Sequence, residues 1–500
     1  MSTPYPGLNP GAVELQTIFE QCVGKRGTQS QRWEDYAGWT LPALYPSSSL
    51  EAGDEAQHDY QALGAQAVNH LANKIVMTLF APSRPFFKLE LTPKQSAQLQ
   101  EAGLSQADIE ALTASVENQS MRSMEKVHLR TSVIQAIKNL IVLGNTLMFF
   151  PGKGEASQVY NMHDYVVRRD AGGRVLQIIT RDRRSVSTLP AAEREAVMAQ
   201  GMQPEDDVDI YTGITLNGDN KYFVKQEVDS IVVTSGKKGV YPAKDLPWLP
   251  LSWNLLRGQD YGTGLVEEYA GDFHVYSSLS EANLNIASIA ADIKILVNPM
   301  GQTDVTSLNE SESGTFVYGH ADDVSYLQLE KLGDFQFVEK IMDQYGRRIG
   351  AAFLLNTQVT RDAERVTAEE IRLQANELES SLGGVYSRLA EEMQQPLARM
   401  LVKEVNSKLG DIEPVILTGV ESLSRNSEHE QMMLFFNDLT LLGNIPEQMQ
   451  GDLKFRDIAI LLAANRGIEY DKFLKTADEK AADQREAQKQ AQQQMVAEGA

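Results

Sequence analysis

From Gly262 to Ala291 the sequence reads as an uninterrupted helical pattern of roughly thirty residues, enough for about 45 Å of helix at the usual rise. The stretch holds Glu267, Glu268, Asp272 and Glu281 and no lysine or arginine. Residues 293–332 then turn short, polar and strand-like, broken by Pro299, Gly301, Gly314 and Gly319. Helical spacing resumes with Phe335, Val338, Met342, Tyr345, Ile349 and Phe353 on one stripe. A chain with this order goes out along one long helix, makes a small β-rich excursion, and returns along another.

The flanking regions have their own periods. Ala12 to Tyr36 and Asp59 to Phe80 read as helices, the second with Leu63, Ala67, Leu71 and Ile75 at three and four spacing. A Pro-rich loop from Leu41 to Pro46 separates them. Pro82 and Pro85 end the second, Phe86 to Leu91 alternates like a strand, and Ser105 to about Leu143 reads as helix again. From Thr146 to Trp253 the period changes to two. Val208, Ile210, Ile214 and Leu216, a two-residue turn signal at Asn217-Gly218, and Tyr222, Val224 and Val228 predict a hairpin. A second turn is expected at Asp170 to Gly173. After Asn356 comes a polar loop, then a capping-box start at Thr367 and Glu370. The helix behind it carries Ile371, Ala375, Leu378, Leu382, Val385, Leu389 and Met393, bent by Gly383-Gly384 and Pro396. A strand at Glu413 to Leu417, helices from Asn426 and a polar tail from Lys475 complete an α+β, predominantly helical chain.

Composition limits the chemistry. With 500 residues, 42% hydrophobic and 23% charged, the chain has material for a sizeable core. The first residues carry neither a basic leader nor an apolar stretch, and the greasiest run, Ile134 to Phe150, is interrupted by Lys138, Asn139 and Asn145, so no secretion signal or membrane span is expected. The formal charge of -22 is the wrong sign for a protein that grips nucleic acid through many phosphates. It suits a wall past which a duplex slides. Gly24-Lys25, Gly152-Lys153 and Gly236-Lys237 each fail the phosphate-loop pattern, which argues against ATP-driven motor activity. The seven histidines are scattered outside metal-ligand spacing, Cys22 is the single cysteine, and there is no G-x-S-x-G elbow, so no cofactor, metal or catalytic residue is expected. The basic cluster Arg168, Arg169, Arg174, Arg181, Arg183 and Arg184 lacks an accompanying aromatic or glycine pattern and reads as decoration of an exposed hairpin.

Several ordered stretches carry a resemblance. They are Arg32-Trp33-Glu34-Asp35-Tyr36-Ala37 with Thr40-Leu41-Pro42; Asn69-His70-Leu71-Ala72-Asn73 running into Leu79-Phe80-Ala81-Pro82; Arg257-Gly258-Gln259-Asp260-Tyr261-Gly262-Thr263-Gly264; and Arg365-Val366-Thr367-Ala368-Glu369-Glu370-Ile371-Arg372. Together the sequence resembles the head-to-tail connectors, or portal proteins, of T7-like phages. That resemblance implies a wing, stem, clip and crown fold assembling as a dodecameric ring. It divides the chain into a wing (1–260), a first stem helix (261–291), a clip (292–333), a second stem helix (334–355), a tunnel loop (356–366), a long wing helix with a return strand (367–420) and a crown with its tail (421–500). It further implies a ring at one capsid vertex, assembled in the host bacterial cytoplasm, that forms the channel for genome packaging and ejection. The implied partners are further copies of the chain, double-stranded DNA, the large terminase subunit, tail adaptor proteins, the major capsid and scaffolding proteins, and internal core proteins; no membrane is among them.

Ring symmetry multiplies each residue, so Glu267, Glu268, Asp272 and Glu281 become stacked acidic girdles if their faces turn inward. Within the implied tunnel loop, Arg361 and Arg365 touch phosphates transiently while Asp362 and Glu364 limit the grip; intersubunit salt bridges remain the alternative role for these arginines. Two other classes of protein stay open on the residues alone. A soluble enzyme with a cryptic site requires convergent ionisable groups in a pocket. A helical scaffold or adaptor protein of a virion draws on the near-heptad run from Ile371 to Met393.

Overall fold

In the computed structural model the described residues are 15–47, 59–80, 86–89, 106–152, 154–199, 201–228, 231–232, 239–291, 294–327, 332–355, 377–378, 380–382, 384–405 and 414–416. The chain divides into units of residues 1–416 and 417–500, and every described residue lies in the first. The expected capping box at Thr367, the expected tunnel loop and the expected crown lie outside the described residues.

The N-terminal region forms α1 (Leu15–Lys25), α2 (Gly27–Trp39) and α3 (Leu63–Leu79). The single helix expected from Ala12 to Tyr36 is therefore two, broken at Arg26, whose backbone leaves the helical region (φ -93, ψ 10) while its side chain is drawn inward. On α3, Ala67, Val68, Leu71, Ala72, Ile75, Val76 and Leu79 are all buried, the face that the three and four spacing specifies. The helix expected from Ser105 is likewise two, α4 (Gln106–Lys126) and α5 (Leu129–Leu143), separated at His128, which adopts a left-handed conformation (φ 51). The end of α5 is apolar all round, and Leu140, Ile141, Val142 and Leu143 are all buried, so this helix sits inside the main core. Gly144 (φ 75) ends it, its N–H donating to Leu140 O at 3.0 Å.

Between β2 (Asn145–Phe149) and β10 (Trp248–Ser252) lies most of the β structure. β2 is central in a three-stranded sheet, flanked by β10 and β3 (Gln158–Tyr160), all antiparallel. A second sheet has the order β4 (Tyr165–Arg169), β5 (Val175–Ser185), β6 (Asp207–Leu216), β7 (Lys221–Val228), β8 (Ile231–Val232), with β9 (Gly239–Pro242) also pairing β7. The hairpin expected around Asn217-Gly218 is β6–β7, with Leu216 opposite Tyr222. Its loop differs from the expected two-residue turn. Asn217 N–H still donates to Lys221 O at 2.8 Å, and Asn220 takes the left-handed position (φ 60), which makes a three-residue connection of the bulge type. The turn at Asp170 forms as expected, its carboxylate accepting from Gly172 and Arg174 N–H.

The long helix expected from Gly262 begins later and is interrupted. A short α6 (Ala191–Met198) lies earlier in the chain; the region of the expected first stem helix opens with α7 (Leu265–Glu268), breaks at Tyr269 (φ -109, ψ 16) and continues as α8 (Ala270–Ala291). Gly262 and Gly264 are held in the preceding loop, where a Cβ at either position would meet backbone atoms below 3 Å. The excursion contains β11 (Lys294–Val297), a short α9 (Val305–Glu310) and β12 (Val324–Leu327), with β11 and β12 antiparallel. The return helix is α10 (Leu332–Ala352), starting two residues before the expected Asp334 and ending before the expected Leu355. α8 and α10 pack antiparallel: Tyr276 lies against Gly346, and Phe273 and Tyr269 meet Phe353 edge-on. Phe273, Ile349 and Phe353 are fully buried, whereas no described side chain between residues 281 and 325 is. The pair is thus rooted in the core at one end only.

After it come α11 (Gly384–Leu389), a π-helical turn at Ala390–Gln394 and α12 (Gln395–Val405). The irregularity expected from Pro396 falls just before it, because a proline nitrogen cannot donate to the preceding turn and the backbone widens there. Gln394 uses that widening to reach Leu79 O at 2.6 Å from a fully buried position. The strand expected at Glu413 is β13 (Pro414–Ile416), antiparallel to β1 (Phe87–Leu89).

Candidate functional site

The loop 254–264 is fastened to the core through residues 260–262 before α7 and α8 begin. Asn145, at the start of β2, accepts from Gly262 N–H at 2.7 Å and donates to Gly262 O at 2.8 Å and Leu143 O at 3.0 Å. Asp260 accepts from Arg169 N–H at 2.6 Å, and its carbonyl accepts from Arg169 Nε at 3.2 Å. The Arg169 guanidinium also donates to Gly173 O, Pro250 O and Ser252 Oγ. The Tyr261 hydroxyl accepts from Val167 N–H at 3.2 Å and from Arg26 Nη1 at 3.3 Å. Arg26 itself donates to Tyr165 O (2.9 Å) and Met162 O (2.8 Å) and lies over the rings of Trp33 and Tyr261. The segment Arg257 to Gly264 therefore acts as a clasp joining the helical pair to the α+β body.

Sequence reasoning recognised this segment but missed Asn145 and Arg26, and it grouped Arg169 with surface charges. The remaining arginines of that cluster are largely engaged locally. Arg181 pairs with Asp164 and Arg183 with Asp209, both at 3.2 Å, and Arg174 donates to Asn220. Arg169 is drawn inward, and burial lowers its pKa.

The four candidate acids of the expected first stem helix divide into two kinds. Glu267 pairs with Arg32 at 3.0 Å, and burial pushes its carboxyl above the usual range while Arg32 opposes that shift. Asp272 pairs with Arg348 of α10 at 3.0 Å and so ties the two helices together. Glu268 and Glu281 are exposed. Arg361, Asp362, Glu364 and Arg365 lie outside the described residues.

A cavity of about 440 Å³ opens between β10, β7 and the π-helical turn, lined in part by Arg169, Tyr222, Trp248, Ser252, Arg388 and Glu392. Burial raises the pKa of Glu392, with Arg388 and Arg169 pulling it down. Arg388 donates to Trp253 O, so both arginines here are already tied to backbone carbonyls. Among the described residues no group of three or more His, Cys, Asp or Glu is placed to hold a metal ion, and no helix is long and apolar enough to cross a membrane.

An antiparallel helical pair rooted in an α+β body, with a β hairpin between the two helices, is the arrangement expected of a connector that joins a capsid to a tail. The profile of the bacteriophage head to tail connecting protein family matches residues 12–472, and the chain belongs to that family. It is 35% identical over 490 residues to the portal protein of Enterobacteria phage SP6, covering 97% of this chain and 93% of that protein. It is 34% identical to the portal protein of Escherichia phage T7 (96% and 90% covered) and 32% identical to that of Pseudomonas phage phiKMV (95% and 95%). The chain has the portal function of this family, and it is a structural component of the virion.

Proposed function

We propose that the chain assembles as a dodecameric ring at one capsid vertex and that its bore carries double-stranded DNA during packaging and ejection. The observation that supports this most directly is the antiparallel α8–α10 pair with the β11–β12 hairpin between them, anchored in the core at a single end. Side by side, such pairs enclose a bore. In this reading α8 and α10 are the stem, residues 294–327 belong to the clip, and Arg361, Asp362, Glu364 and Arg365 line the tunnel loop at the constriction. Glu268 and Glu281 supply acidic rings, whereas Glu267 and Asp272 are mostly neutralised by Arg32 and Arg348 within each subunit.

The ring docks the large terminase subunit during filling and tail adaptor proteins afterwards, and it contacts the major capsid, scaffolding and internal core proteins around its wing and crown. It assembles in the cytoplasm of the host. Hydrolysis of ATP is left to the motor, in keeping with the missing phosphate-loop pattern. Negative-stain microscopy of the purified chain tests the assembly: rings with a central hole are expected, and a monomer or an elongated dimer would end this reading. The channel assignment is tested by the double variant R361Q/R365Q. Assembly should persist while DNA packaging or retention falls; if all three are unchanged, these arginines do not meet DNA.

A further inference from the structure

A smaller hollow of about 170 Å³ adjoins the clasp, between the end of α1, the start of α2, β4 and residues 258–261. Its walls include Cys22, Lys25, Gln29, Arg168, Gly258 and Asp260. Cys22, the chain's single cysteine, is half-buried there.

The charge of this hollow is opposite to that of the chain. The charged groups acting on the Cys22 thiol are the cations Arg168, Lys25 and Arg26 and the acid Asp260. Arg26 is already taken up by the carbonyls of Met162 and Tyr165, and the Asp260 carboxylate accepts from Arg169 N–H. Arg168 reaches the neutral Gln177 amide at 3.4 Å. No carboxylate among the described residues forms an ion pair with Lys25, Arg168 or the nearby Arg257, although Arg181 and Arg183 of the adjacent strand both have one. With 68 acidic residues against 46 basic ones, acids are plentiful, yet these cations have none. Lys25 and Arg257 are exposed, and Leu256 beside Arg257 is 57% exposed.

We infer that this hollow is a socket for a carboxylate side chain of a second copy of the chain, held by Lys25 and Arg168 with Leu256 and Arg257 beside it. The inference rests on the ring proposed above and names a contact that closes it. In a cyclic ring each copy meets the next through two different patches, so a cationic hollow on one flank is matched by an acidic group on the other. Copies that each carry a formal charge of -22 repel one another, and a charge-assisted pair at every junction offsets part of that repulsion. Position favours the same occupant. The hollow shares Asp260 and Tyr261 with the clasp, so it lies at the root of α7 and α8, where helical pairs standing side by side bring neighbouring copies together. A duplex fits less well, because its phosphates form a continuous track whereas these cations converge on one small hollow flanked by an apolar side chain.

Cys22 reports on the hollow without competition from another thiol. Purified full-length chain, free of DNA and of other proteins, is separated into rings and free subunits by gel filtration. Each is alkylated with iodoacetamide, a neutral reagent, at mildly alkaline pH because burial pushes the thiol up. Rings should react about tenfold more slowly than free subunits, since thiol reactivity follows access. The variant K25E/R257E reverses two exposed charges and leaves Arg168 to its Gln177 bond. It should melt like wild type and need about tenfold more protein to form rings at low salt, with the gap narrowing at high salt. Equal alkylation of rings and free subunits overturns the inference, and so does a K25E/R257E chain that assembles at the wild-type concentration. Protection of Cys22 that appears only when duplex DNA is added to the rings overturns it too, because phosphate is then the occupant. A wild-type chain that forms no ring in the microscope ends the ring reading and the inference together, whereas rings that leave Cys22 open end the inference alone.

Discussion

Replacing Asn145 by aspartate separates the two jobs of one buried amide. The side chain is 4% exposed, accepts one hydrogen bond from Gly262 N–H, and donates to Gly262 O and Leu143 O. Truncation to alanine orphans all three backbone groups, and at about 1–2 kcal/mol for each the loss is roughly 3–6 kcal/mol. Aspartate keeps the shape and the acceptor but, when ionised, sets a carboxylate against two carbonyl oxygens. Its folded pKa must therefore rise above the ordinary value of about 4. A raised pKa means that stability is retained below the unfolded value and is lost as pH increases through the folded one. N145D should thus lie closest to wild type in acid and fall progressively behind it toward neutrality.

The assay is urea unfolding followed by tryptophan fluorescence, since Trp248 and Trp253 are buried on and beside the neighbouring strand β10, with the unfolding midpoint measured across a pH series. Hydrogen exchange of the amides at 262–265 should accelerate in the variant before those of α3 do. Equal stability of N145D and wild type at neutral pH would refute the argument. So would a gap between them that does not narrow on acidification, because the donated hydrogen bonds would then contribute nothing.

Gly144→Ala should fail to give soluble, melting-competent protein, because Gly144 has φ 75 and an added Cβ would lie 2.5 Å from the backbone of Gly264 and Thr263; a wild-type melt would show that the loop can move away. Glu392→Gln should stabilise the chain at neutral pH and lose that advantage on acidification, since the folded pKa of Glu392 is raised by burial and the wild-type group is easiest to hold when protonated. Differential scanning calorimetry across the pH range reads this directly, and a variant less stable at neutral pH would show that the ion pairing to Arg388 and Arg169 outweighs desolvation.

What the sequence made legible was periodic. The α3 stripe and the β6–β7 hairpin follow from spacing, and so do the two long helices around a strand-like excursion. Breaks between helices were not legible, because Arg26, His128 and Tyr269 are all residues that a helix tolerates. The break at Arg26 is decided by tertiary partners instead, the carbonyls of Met162 and Tyr165, which lie far away in sequence. The same reason hid Asn145. An asparagine at a helix end reads as a local cap, and nothing nearby announces that it grips Gly262, which lies 117 positions away. Among the candidate site residues, composition could place acids in the first stem helix but could not tell which would be paired. Glu267 meets an arginine of α2 and Asp272 one of α10, and neither pairing follows from spacing within the helix.

That distinction changes how a net acidic chain works as a conduit. A formal charge of -22 invites a picture of uniformly negative walls, yet α8 contributes only Asp272 and Glu281 as acids, and Asp272 is paired. The exposed positions of α8 include Ser278, Asn285 and Ser288, all short and uncharged. Its partner α10 mixes Asp334, Glu339 and Asp343 with Lys340, Arg347 and Arg348, so its charges balance in number and their fields largely cancel at a distance. In the proposed ring, the α8 face would offer a duplex few fixed charges and the α10 face charges of mixed sign, with no continuous basic track on either. Low adhesion would then come from the scarcity and mutual cancellation of charge as much as from its sign.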